Sequence, residues 1–500
     1  MKKLVIVFLL CLITAKISAQ EKTNKYEMRA AWVATVANID WPSDKELSSG
    51  EQIIEMANQF EKLKEAGLNA VFFQIRAECD AFYQSDIEPW SFWLTGEQGL
   101  APEPFFDPLK FAVSEAHKRG MELHAWFNPY RAIRIDDEYE LAENHVAKLH
   151  PEWLLKVDKY IMLNPGLPAV KEYILSVVTD VISRYEIDGI HFDDYFYPYT
   201  QITNQDSLTF VKHSEGIKDI HDWRRFNIND LMAKIYKIVL AVKPRVKFGI
   251  SPFGIVENKY AGTGGFESYN TLYCDPLNWL DNKIVDYITP QLYWEMDHSK
   301  AAYRKLLPWW NKVSSERHLY PGLFSSKMSA ERYKGAKSEI GNQVRMNRTY
   351  NNVLGEVYFS AKSISENWSG LLDSLKQWYA VPAFPPAMPW KDNIDPMAVD
   401  SLKAENLEEG ISLSWQIGQE AEDGDNAKFF AIYRFGEGEE VKTDSNENII
   451  KIVPFNTQNY LDKSELENDK TYRYVVTALD KLYNESKNNQ LKAVIYHSEK

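Results

Sequence analysis

The sequence predicts an α/β chain, a (β/α)8 barrel followed by a small all-β sandwich. Three observations predict it. Eight apolar, aromatic-rich segments alternate with helical patterns, and strand–helix alternation repeated eight times is the pattern of a closed parallel barrel. One segment, 187–196 with the sequence IDGIHFDDYF, runs from an apolar strand into two adjacent carboxylates, Asp193 and Asp194. Barrel enzymes keep their chemistry at the carboxyl ends of strands. Beyond residue 396 the pattern changes to short alternating segments. A doubly wound open sheet is the alternative, but the Gly-rich first turn it should show is missing from this sequence.

Taken in order, the chain opens with a secretion-signal pattern over 1–19. Lys2 and Lys3 precede an apolar stretch over 4–13, and Ile17-Ser18-Ala19 resembles a cleavage site before Gln20. The stretch is too short to span a bilayer. The expectation is an exported chain, periplasmic or extracellular, with no stable membrane insertion. Barrel strands are predicted over 28–36, 70–75, 122–128, 187–195, 247–252, 286–294, 318–324 and 356–361. Ser49 is placed to cap a helix over 51–66, whose rows at Ile53, Ala57, Phe60 and Lys64 form a mostly apolar face closed by Gly67. Asp107-Pro108 is an N-cap followed by proline at the first helical position, and Gly120 closes that helix. Val170, Ile174, Val177, Val178, Val181 and Tyr185 repeat at helical spacing before the fourth strand.

The barrel is assigned to 26–380. Five prolines between Val381 and Pro396 exclude helix or central strand and predict a stiff linker over 381–396. Over 397–500, alternating segments at 411–416, 429–435, 471–479 and 491–496 predict an antiparallel sandwich, with Trp415, Tyr433 and Tyr472 as core residues. Their alternative role is a sugar platform.

A formal charge of −14 argues against nucleic acid or an anionic membrane as partner. Once the leader, which contains Cys11, is removed, Cys79 and Cys274 remain. Two cysteines so far apart predict separate thiols. There is no Cys/His cluster with zinc spacing and no phosphate-binding Gly loop, so neither metal nor cofactor is expected.

Polar and aromatic residues gather near the predicted strand ends. The first strand offers Arg29, Asp40 and Trp41; the second Gln74, Arg76, Glu78 and Asp80; the third Trp126, Asn128 and Arg131. The fourth offers His191, Asp193, Asp194, Tyr195 and Tyr197, the fifth Ser251, Phe253 and Glu257, and the sixth Gln291, Tyr293, Trp294 and Glu295. Acids, amides, arginines and stacking rings together describe a carbohydrate cleft. Glycoside cleavage needs two carboxyl groups. Asp193 is the first choice for nucleophile or base, with Glu295, Asp194, Glu78 and Glu257 as candidate acids. Strand alternation points Asp193 and Asp194 to opposite sides and places His191 on the side of Asp193, where it can hold that carboxylate ionised. Arg29 and Arg76 are candidates for holding an acidic sugar substituent, and Trp41, Trp90, Trp126 and Trp294 for stacking on sugar rings.

The strings MRAAWVATVANIDWP, FFQIRAECDAFYQSDIEPWS, HAWFNPYR, DGIHFDDYFYPY, DWRR, FGISPFGI and ITPQLYW occur in that order between about Met28 and Trp378. They resemble the glycosyl hydrolase-like family 10 proteins of bacterial envelopes. The later string TYRYVVTALDKLYNES resembles a fibronectin type III module. The resemblance implies a TIM-like catalytic barrel with glycosidase activity and, for some members, cleavage of peptidoglycan strands stripped of stem peptides. Asp188, Gly189 and Asp193 also match the fourth-strand motif of the α-amylase type, with His191 in place of its arginine. Against the chitinase motif Asp-x-x-Asp-x-Asp-x-Glu, Tyr195 replaces the catalytic Glu. That departure counts against a chitinase-like, substrate-assisted mechanism. Glu78-Cys79, where a glycine-containing turn is expected, alters the loop after the second strand. The leading expectation is an exported glycoside hydrolase acting on an oligosaccharide or polysaccharide. A noncatalytic glycan-binding protein on the same barrel is the alternative, and a deacetylase or lyase the third reading.

Overall fold

The computed structural model of the protein describes residues 24–329, 336–487 and 490–497. The expected leader, with Cys11, lies outside them. Eight parallel strands form one sheet: β1 (Met28–Val33), β2 (Ala70–Arg76), β3 (Glu122–Phe127), β4 (Gly189–Phe192), β5 (Lys247–Ile250), β6 (Tyr287–Ile288), β7 (His318–Leu319 and Gly322–Leu323) and β8 (Gly355–Tyr358). Each pairs with the next, and β8 pairs with β1, so the sheet closes into an α/β barrel. β7 is broken at Pro321, which has no N–H to give to the ladder. Tyr320 N still reaches Ile288 O, and Pro321 O still accepts from Val357 N, so the ring stays closed across the break.

Helices α1 (Ser49–Glu65), α2 (Pro108–Lys118), α3 (Pro168–Arg184), α4 (Ile220–Val242), α5 (Pro276–Asp281), α6 (Tyr303–Val313), α7 (Ala336–Asn347) and α8 (Leu371–Trp378) follow the strands in turn. The N-cap of α1 is Ser48 rather than Ser49, because Ser48 and Glu51 form a reciprocal capping box. Asp107 caps α2 by accepting from Lys110 N at 2.9 Å, with Pro108 behind it.

Alternation along the strands sorts side chains into two cores. Ala31, Val33, Val71 and Phe73 face the helices. Met28, Ala30, Trp32, Phe72, Trp126, Tyr287, Tyr320 and Val357 fill the barrel. Glycines make room for the large rings inside. A Cβ on Gly249 would lie 2.1 Å from the Tyr287 ring, and one on Gly189 2.4 Å from the His124 ring.

The residues between the barrel and the β-module pack across the barrel floor. Met388 joins the interior cluster. Trp390 Nε1 donates to Asp286 at 2.9 Å, and Lys391 pairs with the same carboxylate. Among the described residues the module has seven antiparallel strands in two sheets. One comprises β9 (Asp400–Leu407), β10 (Gly410–Gln416) and β13 (Asn459–Asp462). The other comprises β11 (Phe429–Phe435), β12 (Ile449–Pro454), β14 (Thr471–Leu479) and β15 (Lys492–Ile495). Strand β11 is buried on both faces. Phe430 and Ile432 join Trp415 in the core between the sheets, whereas Phe429, Ala431 and Tyr433 pack toward Phe384 and Tyr483. Tyr433 is therefore not a core residue of the sandwich, and Tyr472 only borders that core. Cys79 and Cys274 are separate buried thiols. Among the described residues no helix is long and apolar enough to cross a membrane.

Candidate active site

The carboxyl ends of the strands surround a cavity of about 240 Å³. Strand β4 ends at Phe192, so the strict alternation that would separate Asp193 from Asp194 stops there. Both carboxylates line the cavity, with Asp193 3% exposed and Asp194 fully buried.

The third and fourth strands hold Asp193. Trp126 Nε1 and Asn128 Nδ2 donate to its Oδ2 at 3.0 and 3.1 Å, and Tyr195 N approaches Oδ1 at 3.4 Å. Asn128 is itself fixed, since its Oδ1 accepts from Arg131 N at 2.9 Å. Burial pushes the Asp193 carboxyl up to about 6, against the Arg131 charge and these donors. Asp194 Oδ2 accepts a short hydrogen bond from Tyr199 Oη, while its buried Oδ1 has no hydrogen-bond partner among the described residues. Burial is the main reason this carboxyl rises to about 7; Tyr199 opposes it and the Asp193 charge adds to it. Two adjacent carboxyls with such values can divide the work of base and acid near neutrality.

Trp126 and Tyr195 form one side of the cavity, with Arg131 stacked 5.0 Å from the Tyr195 ring centroid. Tyr293 packs on Phe324 and Phe359 on the far side. Gln74 enters from β2; its Oε1 accepts from Thr35 N and Val36 N, and its buried Nε2 has no hydrogen-bond partner among the described residues. Gln291 also lines the cavity, donating to Ser251 O at 3.0 Å. Sequence reasoning reached these residues but missed Trp32, Tyr199, Phe324 and Phe359. Trp32 is hidden in an apolar strand run, and Tyr199 only in the aromatic richness after Asp194.

His191 does not support Asp193. Trp32 Nε1 donates to its Nε2 at 3.1 Å, with Ser251 Oγ 3.2 Å from the same nitrogen. Its Nδ1 faces Tyr287 Oη at 3.2 Å. Burial holds the ring well below its usual titration range, so it is a neutral member of the polar chain inside the barrel. That chain continues from Tyr287 to His124, Glu122 and Lys247.

Several other expected contacts are corrected. Arg29 begins β1 at the opposite end of the barrel, where it is fully buried and paired with Glu27. Trp41 is a core side chain against Phe73 and Phe82 and donates to Gln52 O. Asp40 joins the loop after β1 to the loop after β8, accepting from Ala34 N, Ser360 Oγ and Lys362 N. Arg76 is locked to Glu88 and to the carbonyls of Asn128 and Pro129. Asp80 braces its own turn by accepting from Glu78 N. Tyr197 is buried against Tyr273, and Trp294 packs on Phe253 outside the cavity lining. Glu295 pairs with Lys327 at 2.8 Å, also outside that lining. Its partial burial works to raise the carboxyl, but the Lys327 hydrogen bond and charge outweigh it and hold the group below its usual range. That is the wrong direction for a general acid.

A larger cavity, about 750 Å³, lies between the barrel floor and the β-module. Its acids are already engaged: Asp188 pairs with His117, Glu122 with Lys247 and Glu186 with Lys243. Asp392, Asp425 and Asp480 are close enough to share a cation, but Arg245 already pairs with Asp392 and Asp425. The mouth cavity, with its two carboxylates, is therefore the candidate site.

A closed α/β barrel with paired buried carboxylates among aromatic rings is a glycoside hydrolase-like arrangement. The model of the family "Glycosyl hydrolase-like 10" matches residues 27–337, and the chain belongs to that family. It is 38% identical over 477 residues to "Glycosyl hydrolase YngK" of Bacillus subtilis (strain 168), covering 92% of each chain. It is 33% identical over 376 residues to "Glycosyl hydrolase DigH" of Escherichia coli (strain K12), covering 69% of this chain and 85% of that one.

Proposed function

We propose that the protein is an exported glycoside hydrolase that cleaves O-glycosidic bonds of a bacterial envelope glycan, namely peptidoglycan strands lacking stem peptides. One observation carries the reading: two buried carboxyls, Asp193 near 6 and Asp194 near 7, share an aromatic-lined cavity at the barrel mouth. Asp193, ionised and held by Trp126 and Asn128, assists attack at the sugar. Asp194, protonated, donates to the leaving oxygen. Trp126, Tyr195 and Tyr293 offer flat faces to the ring. The cavity is smaller than the roughly 300–1,000 Å³ of drug-sized pockets, so it encloses the reacting sugar and leaves the rest of a chain on the open surface. Export rests on the leader pattern over 1–19. The seven-stranded module is read as a fibronectin type III-like spacer on the barrel floor, away from the mouth. No cofactor enters the chemistry.

The test is release of new reducing ends from peptide-free peptidoglycan strands, beside chitin-like and plant-type glucans. Wild type should release them. Asp193→Asn, nearly isosteric but uncharged, should lose at least ~100-fold, a fall of roughly 2.7 kcal/mol in transition-state stabilisation. Equal activity in both would move the chemistry to another carboxylate. No release from any of the three would remove the hydrolase reading for these glycans.

A further inference from the structure

The arrangement of the cavity walls says more about the attacking group, given the hydrolase reading above. In a ring of eight strands β8 stands opposite β4, with β7 and β1 beside it. The lining from that side is Trp32, Ala34, Val36, Ile39, Phe324 and Phe359. Among the described residues, both carboxylates that line the cavity come from one turn after β4. A nucleophile supplied by the enzyme sits across the reacting carbon from the acid, with the two carboxyls about 5 Å apart; a base that activates water stands roughly 6.5–9.5 Å away on the other face of the ring. Among the described residues that side of the cavity is apolar and brings no carboxylate to the lining. Both lining carboxylates approach from the fourth strand, an arrangement that suits an attacking atom carried by the substrate itself.

We propose that the substrate carries a 2-acetamido group that acts as the internal nucleophile, with Asp193 orienting it and Asp194 transferring the proton. The two side chains are differently prepared for this. Asp193 Oδ2 is occupied by Trp126 and Asn128, which leaves Oδ1, with only the long Tyr195 N contact, to accept the acetamido N–H. Asp194 Oδ2 is occupied by Tyr199, which leaves the unpartnered Oδ1 to carry the proton. In the first step the acetamido oxygen bonds to C1 as the C1–O glycosidic bond breaks. The electron pair of that bond leaves with the oxygen, which takes the proton from Asp194. The positive charge of the resulting oxazolinium ring lies beside the Asp193 carboxylate. In the second step Asp194, now ionised, takes a proton from water as the water oxygen bonds to C1. The ring opens, the acetamido group is restored, and the product keeps its original configuration.

Tyr195, standing where chitinases carry their catalytic Glu, does not block this route. The proton donor here is the preceding carboxylate, Asp194, which strand alternation alone would have turned away.

The experiment compares peptide-free peptidoglycan strands with the same strands after chemical N-deacetylation. It adds inhibition by a thiazoline made from an N-acetyl hexosamine, and mass analysis after incubation with a 2-deoxy-2-fluoro glycoside. The expected results are at least ~100-fold slower cleavage of deacetylated strands, because the intramolecular nucleophile is gone, and competitive thiazoline inhibition at least ~100-fold tighter than the parent sugar. No fluorosugar adduct should form on the protein. Equal cleavage of both strands, or a fluorosugar bound to any carboxylate, would overturn the internal nucleophile while leaving the hydrolase reading intact. Cleavage of neither strand would overturn both.

Discussion

Asp193 and Asp194 have the same side chain and adjacent positions, and their neighbours give them different titration ranges. On the proposed roles, an ionised Asp193 makes activity rise with pH through about 6, and a protonated Asp194 makes it fall through about 7. A narrow bell in kcat/KM with its maximum between those values is expected, the two limbs belonging to the pair as a coupled unit. Tyr199→Phe separates the limbs. Its hydroxyl stabilises the ionised form of Asp194, so removing it should raise that carboxyl and move the alkaline limb to higher pH. An unmoved alkaline limb would take Asp194 out of the acid role. Glu295→Gln should change kcat/KM by less than about 2-fold, within the ±0.5 kcal/mol typical of surface changes, because Glu295 serves Lys327 and not the cavity.

Strand ends and helix caps decide where these side chains stand. Gly249 exists for the Tyr287 ring, which in turn meets His191 and His124 inside the barrel. Gly249→Ala would force a Cβ to within 2.1 Å of that ring. It should lower stability by about 1–3 kcal/mol through overpacking, read from chemical denaturation. Ser48→Ala removes the capping box of α1 and should cost about 1 kcal/mol without altering the pH profile. The elements also show what was legible in the chain. Eight apolar runs announced eight barrel strands because buried parallel strands carry little else. Their ends were overextended: the segment 187–195 contains the four-residue β4, and 286–294 the two-residue β6. Apolar residues continue past the last ladder bond because loops over the barrel mouth are buried too.

At the scale of the molecule, the β-module and the segment before it close the barrel floor, opposite the mouth. Arg245 from the barrel meets Asp392, Asp423 and Asp425 at this junction. Arg245→Ala would leave these carboxylates to repel one another. The expected loss is on the order of 1–3 kcal/mol, less than for a fully buried pair because Arg245 is partly exposed. Against the effect of burial, hydrogen bonds from Asp425 N and Arg245 hold the Asp423 carboxyl below its usual range, so the loss should be largest at about pH 7 and smaller at about pH 3, below the unfolded-chain aspartate value of about 3.9. Thermal unfolding of both proteins at the two pH values measures it. A pH-independent difference would show that Arg245 acts through packing instead.

Hydrophobic periodicity and the position of charges by themselves determined the strand–helix alternation, the presence of a second all-β unit and the cluster of acids after the fourth strand. These are local properties of the chain, set by which residues can be buried and where a strand must stop. Tertiary structure decided which polar residues share a cavity. Arg29, Asp40, Arg76 and Trp41 carry the right chemistry for a sugar site, but closure of the barrel consigns them to its floor, to loop bracing or to the core. Trp32 reaches the site because strands distant in sequence become neighbours around a ring, whereas Tyr199 is folded back onto Asp194 by the loop they share. The same closure sets an apolar wall opposite the two aspartates, an arrangement that no spacing along a single strand could reveal.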